Sequence, residues 1–335
     1  MAAQAPAFWQ RRGPLAHILR PLSCLFGALA ARRRAATRPE RLPVPVIVVG
    51  NIAVGGSGKT PVVDWLAGVL RAAGHRPGIV SRGHGGRISA DGAVALVPAT
   101  GDPALYGDEP VLLARLTGCA LAIGRDRPAA ARALLRLHPE CDVLIADDGM
   151  QHYRLARDIE VAVVDEVTLG NRLQLPAGPL REPLARLAEV DLILAHGPLS
   201  PGVRAACGDV PVFSMQLLGG ALRAVADPAR TRPVAELRGR RVHAVAGIGR
   251  PQRFFDQLAG EGMEVVPHPF PDHHRFVATD LVFDDALPVL MTAKDAVKCA
   301  AFAPADCWEY PVRAQIGSGA AERILEKLED GRTTA

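Results

Sequence analysis

The chain contains 335 residues, of which 49% are hydrophobic and 22% are charged, values typical of a soluble globular protein with about two domains. A net charge of only +4 argues against a generally basic protein, and no nucleic-acid partner is expected. The six cysteines form no C-x-x-C pair, which argues against a disulfide framework or a zinc site and favours a reducing cytoplasm.

The N-terminal arm, residues 1–40, is apolar in its middle and basic around it. Residues 14–31 form an apolar stretch, but His17, Arg20 and Pro21 interrupt it and leave less than the roughly 20 apolar residues that a bilayer span needs. This pattern predicts a helix lying in the membrane interface, on an anionic lipid surface. A cleaved signal peptide and an ordinary surface helix are the alternatives. The arginines that suggest the anionic partner are Arg11, Arg12, Arg20, Arg32, Arg33, Arg34, Arg38 and Arg41.

Short apolar runs alternate with helical patterns between residues 41 and 215. Helices are predicted at 62–73, where Gly74 ends the helix, and at about 109–116 and 128–137. Continuous apolar strands that alternate with helices indicate an α/β fold of the phosphate-loop NTPase kind, with a mostly parallel sheet covered by helices. The predicted strands are 45–50, 77–81, 120–124, 142–146, 159–165 and 191–195.

The same alternation restarts after about residue 210. It predicts a second, smaller α/β domain at 216–335, joined to the phosphate-loop domain at 41–215 by a strand-like hinge near 211–225. The apolar runs behind this prediction are 212–217, 242–249, 263–270 and 287–293.

The segment "GNIAVGGSGKTP" follows a buried-type strand and opens a helix, which is the setting of a phosphate-binding loop. The G-x-x-x-x-G-K-[ST] pattern requires a first glycine at position 53, where this chain has Ala53. Lys59 is suited to the β- and γ-phosphates, and the Thr60 hydroxyl is suited to Mg²⁺. A chance glycine turn is the alternative. The predicted nucleotide-binding residues are Ala53, Val54, Gly55, Gly56, Ser57, Gly58, Lys59 and Thr60.

The segment "VLIADDGMQH" places Asp147 and Asp148 at the end of an apolar strand. This matches the second acidic motif of phosphate-loop proteins, which holds or orients Mg²⁺. A strand-to-turn cap is the alternative, because Asp-Gly is a common turn. Together with the phosphate loop, the pair predicts a metal site that either aspartate could complete.

Two further segments carry polar residues near predicted strand or helix ends. In "YGDEPVLLARL", Asp108 and Glu109 lie where a helix begins, which suits either N-capping or a general base. In "SRGHGGR", Arg82 follows a strand, where a ligand phosphate could bind. A flexible surface loop is the alternative.

The segment "PHPFPDHHRF" contains Asp272, His273 and His274 after two prolines. A metal site would need a third ligand nearby, and the sequence offers none. A histidine–carboxylate pair that assists proton removal is one interpretation. A surface turn is the other.

These segments, taken in order, resemble the tetraacyldisaccharide 4'-kinase family of lipid A biosynthesis. The resemblance implies an ATP-dependent phosphotransferase, which moves the γ-phosphate of ATP to the 4'-hydroxyl of a membrane-embedded tetraacyldisaccharide 1-phosphate and forms lipid IVA. It also implies Mg²⁺, two α/β domains and a peripheral position on the cytoplasmic face of the bacterial inner membrane, without an obligate protein partner. The matching segments are "GNIAVGGSGKTP", "SRGHGG", "GDEP", "DDGMQHYRLARD", "LPAGPLREP", "FPDHH" and "MTAKDAVK".

The resemblance also assigns roles to residues. Asp108 matches the family's proposed base and His273 the histidine thought to pair with it, so the two domains should close on ATP. Arg82, Glu109, Gln151 and His152 are the expected substrate-binding or supporting residues. The chain departs from the family's usual residues at three positions, which are Ala53 for Thr, His84 for Tyr and Ala293 for Glu.

Two other functions remain open on the sequence. One is a phosphate-loop kinase or ligase that acts on a small soluble substrate. The other is a membrane-docked nucleotide switch, which would hydrolyse or exchange nucleotide without transferring phosphate to a lipid.

Overall fold

The computed structural model describes residues 6–333. Residues 1–5 of the predicted N-terminal arm, and residues 334–335 at the end of the predicted second domain, lie outside the described residues. The described chain forms two β-sheets flanked by helices, preceded by one long N-terminal helix.

Strands alternate with helices through most of the described chain, as the sequence predicts. In chain order the strands are β1 Val46–Gly50, β2 Pro77–Ser81, β3 Ala95–Leu96, β4 Leu121–Ile123, β5 Val143–Asp147, β6 Ile159–Asp165, β7 Leu192–His196, β8 Val212–Gly219, β9 Leu222–Ala224, β10 Thr231–Arg232, β11 Arg241–Ala246, β12 Glu264–Pro269, β13 Val289–Thr292, β14 Cys307–Tyr310 and β15 Val312–Ile316. The α-helices are α1 Pro14–Ala36, α2 Lys59–Ala72, α3 Arg87–Ala90, α4 Pro103–Tyr106, α5 Asp108–Thr117, α6 Arg127–Leu137, α7 Glu166–Leu169, α8 Pro201–Ala206, α9 Pro251–Gly260, α10 Ala293–Cys299 and α11 Ala320–Thr333.

The larger sheet has the strand order β15-β8-β7-β6-β1-β5-β2-β4-β3 within residues 6–333. Its strands from β8 to β4 are parallel, and the two edge strands β15 and β3 are antiparallel to their neighbours. The predicted phosphate-loop NTPase-like fold class, with a mostly parallel sheet, is therefore confirmed.

The central strands are apolar along their whole length because helices cover both faces of the sheet. On β1, Ile47 and Val49 face a core shared with α2, α5 and α11, whereas Val46 and Val48 face a core shared with α6. Since β1, β5 and β2 are parallel neighbours, their carboxyl ends meet at one edge. The loops that follow these three strands carry the polar motifs, so the sheet brings the motifs together.

The smaller sheet has the order β10-β9-β14-β13-β11-β12 in the described part of the chain. Strands β12, β11, β13 and β14 are parallel, and β9 and β10 are antiparallel. The chain crosses into this sheet between β8 and β9, inside the predicted hinge at 211–225.

The division into domains at residues 40 and 215 stays a prediction, and sheet membership differs from it at the C-terminal end. Strand β15 pairs with β8 in the larger sheet. Helix α11 packs its apolar residues Ile324 and Leu328 in the core with α2. Both elements lie in the predicted second domain at 216–335, but β15 extends the larger sheet and α11 packs on its core.

Helix α1 continues through Pro21 and is 23 residues long. By length and composition alone it could cross a membrane, whereas the sequence interruptions predicted a stretch too short to do so. Among its residues, Ala16 and Ser23 are buried against the protein. Its exposed large apolar residues are Leu15, Ile18, Leu22, Leu25 and Leu29.

Candidate active site

The phosphate loop connects β1 to α2 and is intact despite the missing glycine. Gly58 precedes α2 with φ +86°, a conformation that L-residues rarely adopt. Among the described residues, the non-glycines with positive φ are Asp148, Arg172 and His273. Ala53 is therefore in an ordinary backbone region and needs no glycine. Its side chain is buried in the core, and it forms an isolated bridge with Leu180.

The acidic motif lies beside the loop that follows β1. Asp147 ends β5 and accepts a hydrogen bond from the Ser81 hydroxyl at 2.9 Å. Asp148 lies 3.4 Å from Lys59 Nζ and 3.0 Å from Arg181 Nη1. The two carboxylates therefore have different partners, one a hydroxyl and the other two cations.

These partners separate the pKa values of the two aspartates. Burial raises the pKa of Asp147 to about 6, with help from the nearby charges of Glu109 and Asp148. Burial alone would also raise the pKa of Asp148, but the positive charges of Lys59 and Arg181 hold it far below its usual range. Asp148 is already charge-balanced, whereas Asp147 lies where a cation would be stabilised.

Asp108 and His273, which the family resemblance pairs, lie within hydrogen-bond distance although they are 165 residues apart in the chain. His273 Nδ1 lies 3.0 Å from Asp108 Oδ2. Asp108 is the first residue of α5, after Gly107 at φ +96°, where an added Cβ would lie 2.5 Å from the His84 carbonyl oxygen. His273 follows β12 of the smaller sheet and has φ +58°. The pair thus joins the two sheets, and Gly107 allows the start of α5 to approach the His84 backbone closely.

The charges around this pair come from the second sheet. Lys294 and Lys298, both on α10, lie 4.0 Å and 3.9 Å from Asp108 Oδ2. Burial alone would raise the pKa of Asp108, but the hydrogen bond with His273 and the two lysines hold it at about 2. The hydrogen bond with Asp108 raises the pKa of His273. Asp108 is therefore an ionised acceptor near neutral pH.

Glu109 points to the same cluster from the next position of α5. Lys294 Nζ lies 3.0 Å from Glu109 Oε1 and 3.5 Å from Asp272 Oδ1. The charge of Lys294 lowers the pKa of Glu109. Lys294 thus links the start of α5 to the loop that carries His273.

Gln151 and His152 lie just beyond the two aspartates. The Gln151 amide donates to Glu182 Oε2 at 2.8 Å, and its oxygen accepts from Arg181 at 3.1 Å. Burial, together with nearby arginine charges, lowers the pKa of His152 to about 4. His152 is therefore neutral near pH 7 and can donate or accept a hydrogen bond.

Arg82 and His84 lie on a cavity of about 770 Å³. A smaller cavity of about 200 Å³ reaches Asp108 and His273. It shares with the larger cavity the residues Gly85, Asp102, Ala104 and Arg275. The His84 ring lies edge-on to His273, with 5.1 Å between ring centroids. The basic side chains that line the larger cavity are Arg82, Arg87, Arg125 and Arg275.

The third departure from the family's usual residues lies at the start of α10. Ala293 is the first residue of α10 and packs, partly buried, against the core of the larger sheet. The residue that follows it, Lys294, is the one that reaches Glu109.

Three of the groups around the site were not predicted as site residues. Arg181, Lys294 and Lys298 occur in the segments "LPAGPLREP" and "MTAKDAVK", which the sequence singles out only for their resemblance. Their positive charge could have indicated a role at an anionic site. Each of them, however, pairs with a carboxylate at least 33 positions away in the chain. The sequence shows no such pairing.

Three comparisons relate the chain to known proteins. The family model of tetraacyldisaccharide-1-P 4'-kinase matches residues 15–329. A tetraacyldisaccharide 4'-kinase of Azoarcus sp. is 65% identical over 99% of this chain and 97% of the relative, and one of Aromatoleum aromaticum is 63% identical over 100% of both. A crystal structure of LpxK from Aquifex aeolicus in complex with ATP is similar with a TM-score of 0.76 and 27% identity, over 94% of this chain and 99% of that one.

Proposed function

The chain belongs to the tetraacyldisaccharide-1-P 4'-kinase family, and we propose how the residues of its cleft carry out that phosphoryl transfer. It is an ATP-dependent kinase that transfers the γ-phosphate of ATP to the 4'-hydroxyl of a tetraacyldisaccharide 1-phosphate, giving lipid IVA in lipid A biosynthesis. The observation that carries the assignment of roles is the Asp108–His273 pair, which lies on a cavity at the same sheet edge as the phosphate loop.

The phosphate loop and the start of α2 would hold the triphosphate of ATP. The loop's glycines let backbone N–H groups approach phosphate oxygens, and the N-terminus of α2 adds partial positive charge. Lys59, the first residue of α2, supplies a full charge and now lies against Asp148. Exchanging that partner for the β- and γ-phosphates keeps Lys59 paired, so ATP binding leaves no buried unpaired charge at this position.

The residues beside the loop fit a magnesium ion. Thr60 offers a hydroxyl and Asp147 or Asp148 a carboxylate, which are the oxygen ligands that Mg²⁺ prefers. Within residues 6–330, Asp147 has no cation within ion-pair distance. Burial and the nearby charges of Glu109 and Asp148 raise its pKa, so a cation bound there would be stabilised. Bound Mg²⁺ would neutralise charge on the transferring phosphate.

Asp108 would accept the proton of the 4'-hydroxyl while the hydroxyl oxygen forms its bond to the γ-phosphorus. The bond between that phosphorus and the β–γ bridging oxygen breaks, and ADP leaves. A carboxylate with a pKa of about 2 is a weak base, but in a loose phosphoryl-transfer transition state the nucleophile needs little deprotonation. Alignment of the hydroxyl then matters most, and His273 orients the Asp108 carboxylate by its hydrogen bond.

Helix α1 would dock the protein on the cytoplasmic face of the inner membrane, where ATP and the lipid acceptor meet. Its exposed leucines and Ile18 form an apolar side, flanked by arginines that suit anionic headgroups. On the opposite side Ala16 and Ser23 pack on the protein. A helix packed along the protein body in this way supports an interfacial position, because a spanning helix would leave the body.

The double substitution Leu22→Glu with Leu25→Glu is expected to weaken binding to anionic vesicles by roughly tenfold or more per leucine, because each leucine loses about 1.5 kcal/mol or more of apolar burial. Sedimentation with phosphatidylethanolamine–phosphatidylglycerol vesicles measures the affinity. Leu137→Glu is the matched control, since Leu137 is an exposed leucine on α6. Wild-type vesicle affinity in the double variant would show that α1 does not dock the protein.

One product assay separates the three functions that the sequence left open. The protein is incubated with [γ-³²P]ATP, Mg²⁺ and a tetraacyldisaccharide 1-phosphate in detergent micelles. Label in the lipid fraction is the expected result. Label only in inorganic phosphate would indicate a nucleotide switch, and no release of label from ATP would indicate a kinase that needs a different acceptor.

A further inference from the structure

The middle of helix α1 rests on residues 171–182, a segment that we call the connector. Nearer the end of the helix, Arg34 also pairs with Glu189 at 2.7 Å. The Ser23 hydroxyl donates to the Gln174 carbonyl at 2.7 Å and accepts from the Ala177 N–H at 3.0 Å. Gly27, one turn further along α1, lies so close that an added Cβ would be 2.6 Å from Gln174 Oε1. The buried side of α1 therefore rests directly on residues 174–177.

The opposite end of the connector holds the phosphate loop. The Val54 N–H donates to the Pro179 carbonyl at 2.9 Å, and the Arg181 N–H donates to the Ile52 carbonyl at 2.7 Å. Residues 52–54 thus pair with residues 179–181 in a short antiparallel contact. The same Arg181 reaches Asp148 with its guanidinium group at 3.0 Å. Backbone and side chain of the connector therefore hold both the phosphate loop and the acidic motif.

Hydrogen bonds within the connector link its two ends, so we expect a displacement of one end to move the other. The Leu175 N–H donates to the Leu180 carbonyl at 2.9 Å, and the Leu180 N–H donates to the Leu173 carbonyl at 3.0 Å. The Asn171 side chain, which is buried, donates to the Ala177 carbonyl at 2.8 Å. Two bonds at Leu180 thus join the part that contacts α1 to the part that contacts residues 52–54.

We propose that Ser23 is a positioning residue for the phosphate loop, acting through the connector, so that seating of α1 on a lipid surface and binding of ATP favour each other. This inference rests on the proposed docking of α1. A docked α1 holds residues 174–177 in place, and residues 52–54 then keep the conformation that receives phosphate. ATP binding loses less conformational freedom when this ordering has already occurred. Because coupling between two binding events is reciprocal, ATP must strengthen vesicle binding by the same factor.

The test uses the full-length protein, AMP-PNP with Mg²⁺ and phosphatidylethanolamine–phosphatidylglycerol vesicles. For the wild type, vesicles are expected to tighten AMP-PNP binding, and AMP-PNP is expected to tighten vesicle binding by an equal factor. In Ser23→Ala both factors fall towards one, and the KM for ATP measured with vesicles rises about 2- to 30-fold while kcat at saturating ATP is kept. If the substitution only disturbed the folded structure, kcat would fall as well.

Thr37→Ala is the matched control, because Thr37 also carries a hydroxyl at the end of α1 but bonds only within the helix, to the Arg33 carbonyl. It is expected to keep the wild-type KM and coupling. Unchanged KM and coupling in Ser23→Ala would overturn the proposal. If Ser23→Ala does not fold, the wild type alone decides, since equal AMP-PNP affinity with and without bound vesicles excludes coupling. Absence of vesicle binding by the wild type would instead refute the docking of α1.

Discussion

Replacing Asp108 with asparagine is expected to lower kcat about 10²- to 10⁴-fold, the usual contribution of one general base. Asparagine keeps the size and the hydrogen-bonding reach of the side chain but cannot take the hydroxyl proton. The carboxylate is 5% exposed and is held ionised by His273 and the α10 lysines. Its loss therefore removes the one acceptor charge that faces His273 from α5.

Steady-state transfer of label from ATP to the lipid acceptor gives kcat, and calorimetric titration with AMP-PNP shows whether nucleotide binding is kept. Asp256→Asn is the matched control, because Asp256 is an exposed aspartate on α9. A kcat within a few-fold of wild type in a folded Asp108→Asn protein would remove Asp108 from the chemistry. The phosphate-loop assignment would stand unaffected.

Replacing Lys59 with alanine is expected to lower kcat/KM for ATP by roughly 10²- to 10³-fold, as loss of a group that stabilises developing charge does. Lys59 is the lysine of the phosphate loop, and its ammonium group lies 3.4 Å from Asp148 at the end of the sheet. Without it, Asp148 keeps Arg181 as its cation. The substitution should therefore leave the fold intact and weaken the interaction with the nucleotide.

The two measurements for Lys59→Ala are kcat/KM for ATP and the Kd of AMP-PNP. Lys327→Ala provides the control, since Lys327 on α11 pairs with Asp191 and takes no part in the proposed site. A Lys59→Ala enzyme with wild-type kcat/KM would mean that the "GGSGKT" loop is not the phosphate site.

The alternation of apolar runs with helical patterns in the sequence was enough to predict most strands of the larger sheet. Strands such as β1 and β6 are buried on both faces of the sheet, and most of their residues are apolar. The limits of both strands agree with the predicted limits to within one residue. The helix after the phosphate loop was also predicted correctly, because its apolar side faces the core and Gly74 follows its end.

Other strands could not be predicted because their stability comes from distant partners. Strand β14 is fully buried but contains Glu309, a residue type that is typical of the protein surface. In the structure Arg115, 194 positions away on α5, lies 2.5 Å from this carboxylate. The edge strands β3 and β10 are only two residues long, too short for an alternating pattern to show.

Some residues of the site lie together in short sequence motifs, whereas others are brought together only by the fold. Lys59, Thr60 and the two aspartates at 147 and 148 occur in local motifs, and the parallel order of β1 and β5 places them side by side. That Asp108 meets His273 came only from the family resemblance. The cations near this pair come from α10. Lys298 also pairs with Asp295 of the same segment, but nothing in the local sequence of "MTAKDAVK" indicates that Lys294 and Lys298 face Asp108.

We propose that Asp108, beside the larger sheet, and His273, beside the smaller sheet, act as one unit on the acceptor hydroxyl. A double-mutant cycle on kcat/KM for the lipid acceptor tests it most directly, with Asp108→Asn, His273→Ala and the double variant. Because residues that act as a unit are strongly non-additive, the double variant is predicted to be about as slow as the slower single variant. A double variant whose loss equals the product of the two single losses would contradict the claim.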